Sequence, residues 1–380
     1  MQAYVRRLSM AHPGDVSALE QLIVSGDVAA QDVAAVIGKT EGNGGVNDFT
    51  RGYFTQSLML MLARHTGRSR EELQQAIPCV LSGGTEGVLS PHYTVLCRRR
   101  DGSPAEAGGP AEAGGPTGGV GGRLALGVAM SEPLGAEDIG RMAHVESVAA
   151  AVRRAMQDAR IDSPADVHFV QVKCPCVTAA RAQDAIHRGK TLPTLDANRS
   201  MALARVAGAF GVGLALGELK AEGFGEESFL RDYALYSSRA SVSSGVEVDC
   251  NEVIVLGNSP HWGGRLRVAH RPMRDALDIG AVVDVLADLG IAARPQVAPQ
   301  DLARLAAIFV KCEPDRRGRI RGHRHTMLDD TDINAQRHIR GAVAGLVAGV
   351  TGDTRIFVSG GAEHQGPDGG GLIAVIAEVA

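Results

Sequence analysis

The amino-acid sequence predicts an α/β (α+β) fold made of three structurally similar βα units, and two observations carry that prediction. One is a series of strand, lysine, helix-opening arginine and serine turn that recurs three times along the 380 residues. The other is composition. There are 48 glycines against one Trp, five Tyr and eight Phe, well above a usual glycine level of about 7%. Such an excess calls for low-complexity sequence or for repeated tight turns. Hydrophobic residues at 44% and charged residues at 22% leave ample material for a buried core, which excludes disorder of the whole chain.

The first unit is expected over residues 1–100. Residues 34–39 read as an apolar strand ending in Lys39, residues 47–51 open an apolar helix at Arg51, and residues 80–86 give a short strand and the turn Ser82-Gly83-Gly84. Residues 87–89 are expected as a further strand. Residues 101–122 contain PAEAGG twice in succession. Nothing there can build a core, so a flexible linker is expected.

The second unit, 123–257, repeats the order with a strand to Lys173, a helix opening at Arg199, the turn Ser243-Ser244-Gly245 and a strand over 253–256. The third, 265–380, has Lys311, Arg337, Ser359-Gly360-Gly361 and a strand over 372–376. From Lys to Ser the distances are 43, 70 and 48 residues. Loop length varies while the order holds, which surface insertions permit at little cost. A glutamate stands four residues after each serine, as Glu86, Glu247 and Glu363.

A serine hydroxyl is a poor nucleophile until a base takes its proton, and lysine serves as that base only when its pKa falls. Burial and neighbouring positive charge both push it down. If the three units meet at one centre, three lysines and three arginines supply that pressure and attract an anion. Glycine turns let backbone N–H groups approach a substrate oxygen closely. Arginine at a helix start offers a planar fork to a carbonyl or anionic oxygen. Three equivalent units suit a small planar ring with alternating carbonyl and N–H groups.

Seven stretches carry a resemblance: GKTEGNG at 38–44, VNDFTR at 46–51, LSGGTEGVLSPH at 81–92, RSMALAR at 199–205, SSGVEV at 243–248, RHTML at 324–328 and VSGGAEHQGP at 358–367. They resemble the cyanuric acid hydrolase and barbiturase family of ring-opening amidohydrolases, over essentially the whole chain outside 101–122. The resemblance implies internal pseudo-three-fold symmetry around one site. It implies Ser243 as nucleophile and Lys173 as its base, in the opening of cyanuric acid to carboxybiuret and then biuret and carbon dioxide. Lys39 with Ser82 and Gly83, Ser244, and Lys311 with Ser359 and Gly360 would bind substrate beside Arg51, Arg199 and Arg337, with Arg324 close to the last in sequence.

No catalytic cofactor is implied. A structural divalent cation, Mg²⁺ or Ca²⁺, is implied at Glu313, Ala362, Gln365, Gly366, Pro367 and Gly370, and the Gly/Pro-rich turn offers the mixed oxygens such ions take. The family also suggests a homotetramer. Barbituric acid as substrate, and a silent planar-anion binder or scaffold, are the alternatives.

The partner expected is therefore a small planar cyclic imide. A net charge of −4 gives no sign of a nucleic-acid or membrane-surface partner. No apolar run reaches about 18 residues, so a soluble, cytoplasmic protein is expected. Six cysteines are too sparse for a disulfide scaffold and read as buried thiols. Gly38-Lys39-Thr40 lacks the earlier glycine of a P-loop, because Val33 stands there. A serine three residues before each lysine, as in S-x-x-K enzymes, is also missing: Val36, Val170 and Ile308 occupy those places. His323, Arg324 and His325 read as a solvated basic turn.

Overall fold

The computed structural model describes residues 1–99 and 122–379. Apart from Gly122, the linker expected at 101–122 lies outside the described residues. The chain forms β1 (Gln2–Ser9), α1 (Ser17–Val24), β2 (Val33–Thr40), α2 (Phe49–Thr66), α3 (Arg70–Gln74), β3 (Cys79–Gly83) and β4 (His92–Arg99). It continues with β5 (Arg123–Met130), α4 (Met142–Asp158), β6 (Val167–Pro175), α5 (Ala179–His187), α6 (Ala197–Ala215), β7 (Ala240–Gly245) and β8 (Glu252–Ser259). Then follow β9 (Leu266–Met273), α7 (Ile279–Ala287), α8 (Pro299–Leu302), β10 (Leu305–Cys312), β11 (Arg319–Ile320), β12 (His323–Arg324), α9 (Ala335–Thr351), β13 (Phe357–Ser359) and β14 (Gly371–Glu378).

Among the described residues the strands form three four-stranded sheets and a short hairpin, and the three sheets share one topology. Their orders are β1-β4-β2-β3, β5-β8-β6-β7 and β9-β14-β10-β13. In each, the lysine strand runs parallel to the serine strand and antiparallel to the last strand. The register even slips at equivalent places, between Val33 and Ala35, Val167 and Phe169, and Leu305 and Ala307.

Side chains alternate across a strand, and here the alternation separates two cores. In β10, Ala307 and Phe309 face a central core to which all three sheets contribute, while Ile308, Val310 and Cys312 face α7 and α9. In β2, Ala35 and Ile37 join the same central core, while Val36 packs with Phe54, Leu58 and Leu62 of α2. Phe169 and Phe309, from different sheets, stack in that centre with ring centroids 5.0 Å apart. Helices therefore clothe the outer faces, and the inner faces close on one another.

Two expectations need correction. Residues 87–89 are a turn and not a strand: Gly87 has φ +62°, and Leu89 leaves its own sheet to pack among the apolar residues of the third. The strand it was taken for begins at His92. The sequence reading also lacks the opening strand of each sheet: β1 and β9 carry the mixed polar pattern of a sheet edge, whereas β5 is apolar and buried over residues 124–127. The cysteines are free and, except for the partly exposed Cys250, buried. Among the described residues no helix is long and apolar enough to cross a membrane.

Because the central core is shared by all three sheets, truncating it should be felt by the whole molecule. Phe309→Ala removes a fully buried ring and should cost about 3–5 kcal/mol, read as a lower midpoint in denaturant unfolding. A loss below about 1 kcal/mol would show that the stack does not hold the sheets together.

Candidate active site

Each lysine lies directly across a parallel strand pair from its serine: Lys39 opposite Ser82, Lys173 opposite Ser243, Lys311 opposite Ser359. Strand parity explains their direction. Lys39 follows Ile37, Lys311 follows Phe309, and Ser359 follows Phe357, each two residues on from a side chain in the central core. In the first and third units the inward rows are thus apolar up to the lysine and serine and turn polar there, while in the second Gln171 and Ser241 bring polarity one step earlier. At that end β13 touches β2 and β3, and β3 touches β6. The lysines are 0, 1 and 0% exposed and the serines 8, 9 and 3%, so the centre opens to solvent only narrowly.

Burial disfavours the ammonium form, and neighbouring positive charge adds to it. The Lys39 pKa lies well below its usual range, through burial first and then the Arg340 and Lys311 charges. Burial also lowers Lys173, and Arg51 adds to this against the pull of Glu247. Lys311 falls to about 7 through burial and Arg205.

The three pairs are not alike. The Lys39 amine donates to Ser82 Oγ at 3.2 Å and to the Gly83 carbonyl at 3.3 Å. That of Lys311 donates to Ser359 Oγ at 3.1 Å and to the Gly360 carbonyl at 2.7 Å. Lys173 instead pairs with Glu247 at 2.6 Å and donates to the Leu81 carbonyl at 3.3 Å. Ser243 Oγ is buried with no partner, one of three such side-chain atoms among the described residues. A buried hydroxyl left unpaired is uncommon and calls for a functional or ligand-based reason. Ser244, beside it, donates to the Pro175 carbonyl at 3.4 Å.

Arg51, Arg199 and Arg337 all stand three residues after a capping Asp48, Asp196 or Asn334, whose side chains accept helix N–H groups. Only Arg51 turns inward. It grips Glu247 at 2.7 and 3.3 Å and the Gly45 carbonyl at 3.1 Å. Arg199 is exposed, and Arg337, half exposed, reaches Glu86 at 3.1 Å.

The inward places in the other helices belong to arginines one or two turns further along. Arg205 grips Glu363 at 2.7 and 2.6 Å, and Arg340 grips Glu86 at 2.8 and 2.6 Å. The pairs close a ring, with the first sheet's helix holding the second sheet's glutamate, the second the third's, and the third the first's. Arg205 and Arg340 give no signal at the helix starts, where the repeated pattern places its arginines. The signal available was the glutamate four residues after each serine, which needs a buried partner. Burial would raise Glu247, yet Lys173 and Arg51 hold it down to about 2. Arg324 lies away on the exposed β12, paired with Asp329 at 2.7 Å.

Gly83 shows why a turn without a side chain is needed here: a Cβ on it would fall 1.7 Å from Asp48 Oδ2.

The residues implied for a cation converge as well. Glu313 donates its N–H to the Gly370 carbonyl at 3.2 Å, and the turn from Ala362 to Gly370 folds on itself through Gln365 N–H to Ala362 O and Gly370 N–H to Pro367 O, both 2.9 Å. The Gln365 side-chain oxygen is already taken by the Val242 N–H at 2.6 Å, and Gly366 donates its own N–H to the Ser237 carbonyl at 2.9 Å. Burial, then Glu363 and Asp368, push Glu313 up to about 8. Among the described residues no group of three or more His, Cys, Asp or Glu side chains is placed to hold a metal. One buried carboxylate with acidic neighbours and several backbone carbonyls nevertheless fits a hard cation held mainly by main-chain oxygen.

Residues 4–378 match the family described as amidohydrolase ring-opening protein. A cyanuric acid amidohydrolase of Enterobacter cloacae is 45% identical over 380 residues, which is 100% of each chain. One from Azorhizobium caulinodans is 48% identical over 375 residues, covering 99% of this chain and 98% of that one. A solved cyanuric acid hydrolase, described as an innovation by structural concatenation, superposes with a TM-score of 0.90 at 44% identity over 99% of both chains.

The ring of ion pairs predicts unequal arginines. Arg340→Ala leaves the nearly buried Glu86 with only the half-exposed Arg337 as arginine partner (the Arg340 and Glu86 side chains are 7 and 9% exposed) and should destabilise the protein by about 1.5–3 kcal/mol. Arg199→Ala, on the surface, should stay within about 0.5 kcal/mol of the parent. Equal losses in thermal or denaturant unfolding would contradict the assignment.

Proposed function

The chain belongs to the family of ring-opening amidohydrolases, and on that premise we propose that it hydrolyses cyanuric acid, with Ser243 as nucleophile and Lys173 as base. The observation that carries the assignment within the site is the lone Ser243 hydroxyl, buried without a partner, across the strand pair from a lysine whose proton affinity burial has lowered. Ser82 and Ser359 are already bound to their lysines, which suits them to hold ring carbonyls.

Lys173 takes the hydroxyl proton as Ser243 Oγ bonds to a ring carbonyl carbon. Backbone N–H groups at Ser244 and Gly245 receive the oxygen that becomes negative. The tetrahedral centre collapses by breaking the ring C–N bond, and Lys173 returns its proton to the leaving nitrogen. Water, deprotonated by Lys173, then attacks the Ser243 ester carbon; the bond to Ser243 Oγ breaks as Lys173 returns that proton to it, releasing carboxybiuret, which loses carbon dioxide to give biuret. The ionised Glu247 stabilises the ammonium form of Lys173 between proton transfers.

The repeat units are taken as 1–100, 123–257 and 265–380. The resemblance brings a homotetramer, a cytoplasmic location and a structural Mg²⁺ or Ca²⁺ at Glu313, Ala362, Gln365, Gly366, Pro367 and Gly370 into the same proposal. Such an ion would neutralise Glu313 and brace the turn after Ser359, and no step of the reaction passes through it. Arg199 and Arg337, exposed in the first turns of α6 and α9, remain in it as substrate-binding groups on the strength of the resemblance alone.

Ser243→Ala should lower kcat on cyanuric acid by about 10³-fold or more while the protein stays folded. Near-normal turnover would remove Ser243 from its role, and faster opening of barbituric acid than of cyanuric acid by the parent would replace the substrate.

The pH dependence follows in sign. Lys173 must be neutral to accept a proton, and its pKa is lowered, so kcat/KM should rise with pH and level off below the ordinary lysine value of 10.5. A profile still climbing through that value would exclude Lys173 as the base.

A further inference from the structure

We infer that Glu252 sets the protonation of Lys173, and that this distinguishes the second Lys–Ser pair from the other two. The inference rests on the reading of Lys173 as the base.

Each lysine faces, on the last strand of its sheet, one directly opposed residue: His92 for Lys39, Glu252 for Lys173 and Leu372 for Lys311. Opposed residues on neighbouring strands share a face, with Cβ atoms about 4.5–5.5 Å apart. So the three lysines, equivalent in topology, have three different neighbours. Leu372 brings no charge. The His92 ring is bound to the Ser90 carbonyl at 2.8 Å, and burial drops its pKa to about 3, so it is neutral. Glu252 is the one carboxyl among them.

Its position ties it to the same strand that Lys173 touches. Glu252 Oε2 accepts the Cys79 N–H at 3.0 Å, and Lys173 donates to the Leu81 carbonyl of the same strand at 3.3 Å. Lys173 and Glu252, side by side in the second sheet, therefore both hold the free edge of β3, which leads to Ser82. The groups facing Glu252 are Lys173 from β6, Glu247 and Asp249 from the turn between β7 and β8, the adjacent Cys250, and Cys79 from β3.

Glu247 is committed as an anion to Arg51 and Lys173, so Glu252 is the carboxyl left to vary. Burial, with Glu247 and Asp249 adding to it, pushes it up to about 7 against the Cys79 hydrogen bond and the pull of Lys173. Near neutrality it exists in both forms. While protonated, it leaves Lys173 free to be a neutral base; while ionised, it favours the ammonium form that Lys173 takes after accepting the serine proton. Neither of the other lysines has a carboxyl at this directly opposed place on the last strand.

The test is the pH profile of kcat/KM for cyanuric acid in Glu252→Gln, Glu252→Leu and Lys173→Ala. Glutamine keeps an acceptor for the Cys79 N–H and removes the charge. Losing a negative neighbour disfavours the ammonium, so the acid limb should move to lower pH by about one unit. Leucine, the residue the third sheet carries at this place, should move it the same way even if it also lowers the plateau by loosening β3. An acid limb that coincides with the parent's in both variants would overturn the inference, and should Glu252→Gln fail to fold, the Glu252→Leu profile decides alone. Loss of turnover in Lys173→Ala together with unmoved limbs would sink Glu252 and leave Lys173 standing. Turnover retained in Lys173→Ala would remove the base and the inference with it.

Discussion

Three lysine amines buried at one point are the constraint on which the arrangement of this protein depends. A charged ammonium is costly to bury, and three together add mutual repulsion. Glu86, Glu247 and Glu363 pull Lys39, Lys173 and Lys311 toward the charged form, and burial with the neighbouring arginines outweighs them. Glu86, Glu247 and Glu363 are matched one for one by Arg340, Arg51 and Arg205. The arginines stay ionised, so each glutamate is shared between an arginine and a lysine and offsets only part of the cost of a lysine proton. The centre therefore favours neutral amines and welcomes a ligand that is anionic or becomes so. The same ring fastens each unit to the next, so the charges that tune the site also hold it together.

The symmetry of the backbone is greater than that of the chemistry. Three sheets of one topology bring three Lys–Ser pairs to one place by one geometric route, an inward row that changes from apolar to polar at its end. Their surroundings then diverge. Directly below the second pair lie Gln171 and Ser241, joined at 2.8 Å, where the first unit has Ile37 and Val80 and the third has Phe309 and Phe357. The second lysine is turned from its serine toward Glu247. A ligand of three-fold shape can be gripped by the shared geometry, but a reaction at one carbonyl needs one edge to differ. The second unit carries most of the polar departures from the common pattern.

What the sequence made legible was the local chemistry that repeats. Lys39, Lys173 and Lys311 end apolar runs, and Ser82, Ser243 and Ser359 open glycine turns; both are short-range signals, and their opposition across a parallel strand pair follows once the strands are placed. The arginine partners were not legible, because Arg51, Arg205 and Arg340 occupy different turns of their helices and are chosen by a glutamate from another unit. Counting from the helix start finds Arg51 and then stops at the exposed Arg199 and Arg337. The strand expected at residues 87–89 failed for a related reason: Leu89 is buried by the third unit, and an apolar run says that a residue is buried without saying by what. Similarly, the edge strands β1 and β9 are only partly buried and so give a weak signal.

That distinction between local and inter-unit information bears on how such a site tolerates change. A Lys–Ser pair lies within one sheet, and its register is fixed by the parallel ladder whatever the neighbouring unit does. The charges that set each lysine come across the boundaries: Arg51 from the first unit acts on Lys173, Arg205 from the second on Lys311, and Arg340 from the third on Lys39. Loop lengths can drift, as the spacings between lysine and serine have, because they do not enter either set of contacts. A change at the interfaces between units alters the protonation of a lysine one unit away while leaving its geometry intact. The reactivity proposed for the second pair would thus be a property of how the units meet, with Arg51 of the first unit acting on Lys173 of the second.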